Sequence, residues 1–247
     1  MQSVFITGTD TDAGKTFVSV LLLEAINRAG FKTSGFKPIA AGCAQTAKGL
    51  RNDDALNLQK ASSHKLPYDK VNPIAFEAPI APHIAAAKLG LKIDMQLVSN
   101  TLAELQKEDI DFLLVEGAGG WRLPTFLPSL HALPSDSECI QQDVQIKSPQ
   151  RAEFLSEFVA QAKLPVVLVV GMKLGCLNHA ALTFEQIKRD NCVLVGWIAN
   201  QLDPDMDCYA ENLASLHALI DAPFLAEVRH GKQSIDLSKS TLRLILA

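Results

Sequence analysis

The stretch Gly8-Thr9-Asp10-Thr11-Asp12-Ala13-Gly14-Lys15-Thr16, GTDTDAGKT, follows the apolar run Val4-Phe5-Ile6 with only Thr7 between them. Behind it, Val18, Leu21, Leu22 and Ile26 recur at helical spacing until Gly30. Strand, loop and helix therefore occur in the order that a phosphate-binding loop requires. Such a loop turns successive backbone N–H groups and a helix N-terminus towards anionic oxygens. Lys15 is placed to reach the outer phosphates, and Thr16 to set its hydroxyl on Mg²⁺. Five residues separate Gly8 from Gly14, one more than in the common form of the motif. The aspartates are compatible with this reading, because carboxylates hold Mg²⁺ through its water shell or bind amines and hydroxyls of a second substrate. Thr11 and Asp12 occupy the part of the loop that would face that second substrate.

The rest of the chain repeats the rhythm. Apolar runs at Thr33–Pro38, Asp111–Glu116, Pro165–Gly171, Cys192–Asn200 and Pro223–Val228 read as strands. Helical patterns fall at Asp53–Ala61, Ala81–Leu89, Gln96–Lys107, Arg151–Lys163, His179–Arg189 and Cys208–Ile220. Continuously apolar strands separated by helix-length segments predict an α/β fold, a doubly wound parallel sheet with helices on both faces, of the P-loop NTPase kind. Its ligands belong at the carboxyl ends of the strands. At 247 residues the chain is read as a single nucleotide-binding catalytic domain, with one long loop excursion at about 122–150.

Two more strands end in chemistry. LLVEGAGGW (113–121) puts Glu116 at the tip of a buried strand, where nucleotide-binding domains hold their metal carboxylate. A buried carboxylate needs a cation or donors beside it, and the glycines that follow let backbone approach a ligand. GFKPIAAG (35–42) ends the second strand with Lys37, a cation suited to a transferring phosphoryl group or a carboxylated intermediate. Asp53 and Asp54 stand at a helix start, where Asp53 is read as the N-cap.

Composition narrows the function classes. The net charge of −4 offers no basic face for nucleic acid. The apolar run 164–172 is too short to cross a bilayer, and no leader is expected. Cys43, Cys139, Cys176, Cys192 and Cys208 are scattered without C-x-x-C spacing, which fits reduced thiols in a cytoplasmic protein. His83 and His179 are read as structural.

With the stretches assembled, the chain resembles the ATP-dependent dethiobiotin synthetases. The matching pieces are FITGTDTDAGKT (5–16), GFKPIAAG (35–42), LRNDDAL (50–56), APHIAAA (81–87), LLVEGAGGW (113–121), residues 169–183 and LVGWIAN (194–200). The resemblance implies ATP and Mg²⁺ as cofactors and a ring closure: 7,8-diaminononanoate and CO₂ become dethiobiotin, with release of ADP and phosphate. It implies that Asp12, Ala13, Gly14, Lys15, Thr16 and Phe17 bind the nucleotide, together with Gly117, Ala118 and Gly119. Asn200 would read adenine, and Thr16, Asp54 and Glu116 would hold the metal. Lys37 and Lys15 would be catalytic. The diamine would meet Thr11, Lys37, Ala41, Gly175, Cys176 and Asn178, the last three across a homodimer interface.

The sequence departs from that pattern in three places. Ala41 stands where Ser or Thr is usual, the excursion at 122–150 is long, and Gln201 follows Asn200 where an acidic residue is common. An ATP-binding switch protein and a catalytically impaired paralogue of the same fold are the alternatives. Asp10, standing where switch ATPases carry a second lysine, argues against the former.

Overall fold

The computed structural model describes residues 1–128 and 151–246. Strand β1 (Gln2–Gly8) feeds through the loop into α1 (Lys15–Arg28), which buries Val18, Leu21, Leu22 and Ile26. Gly30, with φ 93°, turns the chain into β2 (Thr33–Phe36). The next segments are short. Strand β3 (Ile39–Ala40) is followed by the hairpin β4 (Ala44–Thr46) and β5 (Gly49–Arg51). Then come α2 (Asp53–Ala61), α3 (Tyr68–Val71), β6 (Ile74–Ala75), α4 (Pro82–Lys88) and α5 (Met95–Leu105). Strand β7 (Phe112–Gly120) returns to the centre. Beyond it, β8 (Pro124–Phe126) pairs antiparallel with β9 (Glu153–Phe154). A helix at Leu155–Gln161, β10 (Val166–Met172), a helix at Cys176–Arg189 and β11 (Leu194–Gln201) follow. A helix at Tyr209–Leu219, β12 (Phe224–Val228) and a helix at Lys239–Leu246 complete the described chain.

The main sheet has six strands in the order β12-β11-β10-β1-β7-β2, every pair parallel. The chain builds β2 and β7 on one side of β1 and β10, β11 and β12 on the other. The order therefore reverses at β1, and a crevice opens at the carboxyl ends of the strands there. Strand periodicity divides the core in two. Phe5, Leu113, Val115 and Val166 face one apolar cluster, and their neighbours Ile6, Leu114 and Val167 face the other. Both faces are thus buried, which is why these strands read as unbroken apolar runs.

The structure corrects several boundaries. The predicted helix at 151–163 begins only at Leu155, because Glu153 and Phe154 pair with the strand at Pro124–Phe126. The helix predicted from His179 begins one turn earlier, at Cys176. The cap of α2 is Asn52, whose side chain accepts from the Ala55 N–H, so Asp53 is the first helical residue and not the cap. Of the excursion at 122–150, residues 129–150 lie outside the described residues. Among the described residues, no helix is long and apolar enough to cross a membrane.

Candidate functional site

The loop between β1 and α1 holds two left-handed residues, Asp12 (φ 53°) and Gly14 (φ 84°). Aspartate tolerates that conformation better than most residues. At Gly14 a side chain has no room: a Cβ there would lie 2.0 Å from Asn200 Nδ2. That amide reaches across from β11 and donates to the Ala13 carbonyl at 3.0 Å. Asn200 therefore braces the loop from below. Lys15 curls over its own loop, donating from Nζ to the Asp10 carbonyl at 3.0 Å. Burial, and after it the neighbouring Lys37, lowers the Lys15 ammonium from the ordinary lysine range to about 8. An incoming phosphate would supply the compensating charge that Lys15 lacks.

Lys37, just past the end of β2, is 4% exposed. Its Nζ lies 2.6 Å from Glu116 Oε1, 3.0 Å from the Gly117 carbonyl and 3.3 Å from Asp54 Oδ2. Burial pulls the Lys37 ammonium down, but Glu116 and Asp54 outweigh it, and its pKa lies above the usual lysine value. Thr16 Oγ1 donates to the same Glu116 oxygen at 2.7 Å. Register explains why: Glu116 stands opposite Ile6 on β1, two residues before the loop. Lys15, Thr16, Lys37, Asp54 and Glu116, spread over a hundred residues of sequence, thus meet at one point.

Lys15, Thr16, Lys37 and Asp54 line a cleft of about 620 Å³, and Glu116 lies buried behind it. Thr11, Asp12, Gly14, Lys15, Thr16 and Phe17 form one wall, with Ala118 and Gly119 beside them. Lys37, Ala41 and Asp54 form another. Ala13 and Gly117 are buried beneath the surface of the cleft. Position 117 has to be glycine because Phe5 fills the space beside it: a Cβ there would lie 2.8 Å from the Phe5 ring. The glycine of this segment that needs a left-handed turn is Gly119, with φ 61°.

Gly175, Cys176 and Asn178 do not line this cleft. They lie at the start of the helix after β10, next to Leu174, which is 98% exposed. The Cys176 side chain is 1% exposed and packs in an apolar cluster, and its N–H donates to the Lys173 carbonyl. The Cys176 side chain thus serves packing, which leaves its backbone at the helix start as the part that could meet a ligand. Gly175, with φ 93°, and the exposed Asn178 remain at the surface.

Several lining residues were not singled out from the sequence. Asn52 caps α2, faces the cleft and donates from Nδ2 to the Ala41 carbonyl at 3.3 Å. Pro79, Ile80, Ala81 and Pro82 close the far wall ahead of α4. The stretch APHIAAA pointed to that region without showing that Ala81 and Pro82 line the cleft. Lys173 pairs with Asp10 at 3.2 Å, and with the Thr11 N–H it outweighs burial to hold the Asp10 carboxyl below its usual range.

The site suits a magnesium ion on one particular observation. Glu116 is 0% exposed, and its Oε2 meets no hydrogen-bond partner among the described residues. A buried anionic oxygen without a donor is costly unless a cation satisfies it. With the Thr16 hydroxyl and Asp54 nearby the donors are all oxygen, as Mg²⁺ requires. Among the described residues no three acidic, His or Cys side chains form a cage. The cation would therefore share phosphate oxygens and water, its usual habit beside a nucleotide.

Comparison with known proteins agrees with this geometry. A family model described as an AAA domain matches residues 2–132 and 145–236. The chain is 46% identical to the ATP-dependent dethiobiotin synthetase BioD of Aeromonas salmonicida, over 92% of this chain and 90% of that protein. It is also 46% identical to the protein of that name from Cellvibrio japonicus, over 98% and 96%. Among solved structures, the MinC:MinD cell division complex of Aquifex aeolicus superposes with a TM-score of 0.50. That match has 13% identity and covers 100% of this chain and 86% of that one, which concerns the fold alone. With such identity over nearly its whole length to proteins of one name, this chain belongs to the ATP-dependent dethiobiotin synthetase family.

Proposed function

We propose that this chain is a dethiobiotin synthetase, an ATP- and Mg²⁺-dependent cyclo-ligase of biotin biosynthesis that works as one catalytic domain per chain. One amine of 7,8-diaminononanoate adds to CO₂ and loses a proton, giving a carbamate. A carbamate oxygen takes the γ-phosphoryl group of ATP, and ADP leaves. The second amine then attacks the carbonyl carbon, phosphate departs with that oxygen, and the cyclic urea of dethiobiotin remains.

The observation that carries this reading is that two lysines, a hydroxyl and a carboxylate line one cleft, with the buried carboxylate of Glu116 tied to Lys37 and Thr16 behind them. Phosphoryl transfer asks for positioning and charge neutralisation rather than a covalent nucleophile. Lys15 and the loop N–H groups bind the phosphates. Lys37, fixed by Glu116, steadies the carbamate and then the transferred phosphoryl oxygens. Thr16, Asp54 and Glu116 would hold Mg²⁺, which neutralises phosphate charge when bound. Thr11, Asp12 and Ala41 face the diamine. Asn200, next to the nucleotide loop, reads adenine in addition to bracing Ala13. Gly175 and Asn178, lying outside the cleft of their own chain, serve the carboxylate end of the diamine in a second copy. The working form proposed here is a homodimer, acting in the cytoplasm.

Phosphate release in the presence of ATP, Mg²⁺ and bicarbonate tests the proposal. It should depend on the diamine; equal release without the diamine would favour a switch ATPase.

A further inference from the structure

From the cleft wall at Asn52 a polar chain runs inward through the half-buried Tyr68 to the buried Asn72. The Tyr68 hydroxyl accepts the backbone N–H of Asn52 at 2.7 Å and donates to Asn72 Oδ1 at 3.1 Å. Asn72 Nδ2 forks to the carbonyls of Lys37, at 2.7 Å, and Ile74, at 3.1 Å. Asn52 is the N-cap of α2, and Asp54 is the second residue of that helix. The chain therefore closes a ring. From Lys37 Nζ it passes to Asp54, along the helix start to Asn52, through Tyr68 and Asn72, and back to the Lys37 carbonyl.

We infer that Tyr68 is a positioning residue: its hydroxyl fixes the start of α2 against the Lys37 segment and so sets where Asp54 stands in the site. Two features single it out. The other contacts that tie the α2 start to the Lys37 side of the cleft are longer: Asn52 Nδ2 to the Ala41 carbonyl and Asp54 Oδ2 to Lys37 Nζ, each at 3.3 Å. In addition, the Arg51 guanidinium lies 4.1 Å over the Tyr68 ring, which holds the ring in place at the end of the β4–β5 hairpin. Loss of the hydroxyl would strand the Asn52 N–H and Asn72 Oδ1 together, and the helix start can relieve this by moving.

This inference rests on the reading of Asp54 as a metal ligand, and the experiment separates the two. Mg²⁺ is titrated calorimetrically into the ADP-bound protein for the parent, Tyr68→Phe, Asp54→Asn and the double variant. Tyr68→Phe should weaken Mg²⁺ binding by roughly fivefold, the worth of one hydrogen bond. In the Asp54→Asn background the same change should weaken it no further, while the loss of Tm from Tyr68→Phe stays equal in both backgrounds. An unchanged Mg²⁺ affinity in Tyr68→Phe, or an equal weakening in both backgrounds, would overturn the positioning role. Unchanged affinity in Asp54→Asn alone would overturn the ligand reading beneath it. Should Tyr68→Phe fail to fold, Asn72→Ser cuts the same chain one bond later and is held to the same outcomes.

Discussion

The Lys37 ammonium lies 2.6 Å from one oxygen of Glu116, while the other oxygen of that carboxylate, equally buried, meets no donor among the described residues. The pair is therefore half of an ion site. One lone-pair face is closed by lysine and threonine, and the other is left for a cation.

Replacing Lys37 consequently does two things. Lys37→Met should lower turnover by at least about a hundredfold, through loss of the charge aimed at the transferred group. It should also destabilise the fold by roughly 3 kcal/mol, because Glu116 is left as an uncompensated buried charge. Adding Glu116→Gln should restore much of the Tm but none of the turnover. Recovery of both would remove Lys37 from the chemistry.

The Gly14–Asn200 contact gives a sharper steric test. Gly14→Ala must both hold φ 84° and displace an amide 2.0 Å away, so the brace on Ala13 has to break. ATP affinity, followed by calorimetry, should fall at least about tenfold, since a left-handed alanine alone costs on the order of 1 kcal/mol. Asn200→Ala should also weaken ATP binding, because it removes both the donor to the Ala13 carbonyl and the proposed adenine contact.

Lys15 sets a pH dependence. Its folded pKa of about 8 lies below the unfolded lysine value of 10.5. The unfolded chain thus binds more protons between those values, and Lys15 makes stability rise with pH across that window. Phosphate binding has the opposite preference, because it needs the charged form. Nucleotide affinity should decline as pH passes 8, and binding at about pH 8.5 should take up protons. Calorimetry in buffers of different ionisation enthalpy measures that uptake, and zero uptake would contradict the shift.

Ala41 lines the cleft with a methyl group and no hydroxyl to offer a substrate. Ala41→Ser should lower KM for the diamine by about fivefold, one hydrogen bond's worth, without moving KM for ATP. An unchanged KM for the diamine would place the substrate elsewhere.

What could be read in the sequence was what repeats locally. Strand, GTDTDAGKT and helix are contiguous, so Lys15 and Thr16 could be placed before any coordinates, and Glu116 announced itself as a charge ending an apolar run. The contacts that arrange these groups were not legible. Tyr68 acts through Asn52 and Asn72, and Asn200, singled out from the sequence only for adenine, also holds Ala13; such contacts exist only once the sheet brings distant segments together. The burial of the Cys176 side chain was not legible for a related reason: only packing shows which side chain of that stretch points into the core. The helix at Lys239–Leu246 escapes a sequence reading because its start signal, Ser238 accepting from the Thr241 N–H, follows a polar stretch without periodicity.

If a single cleft joins ATP, CO₂ and a diamine, the carbon of CO₂ must end up in the product. Incubation with ATP, Mg²⁺, ¹³C-bicarbonate and 7,8-diaminononanoate, followed by mass spectrometry, shows whether it does. Dethiobiotin carrying a single ¹³C, formed one for one with ADP, is the expected result. ADP without labelled cyclic product would contradict it.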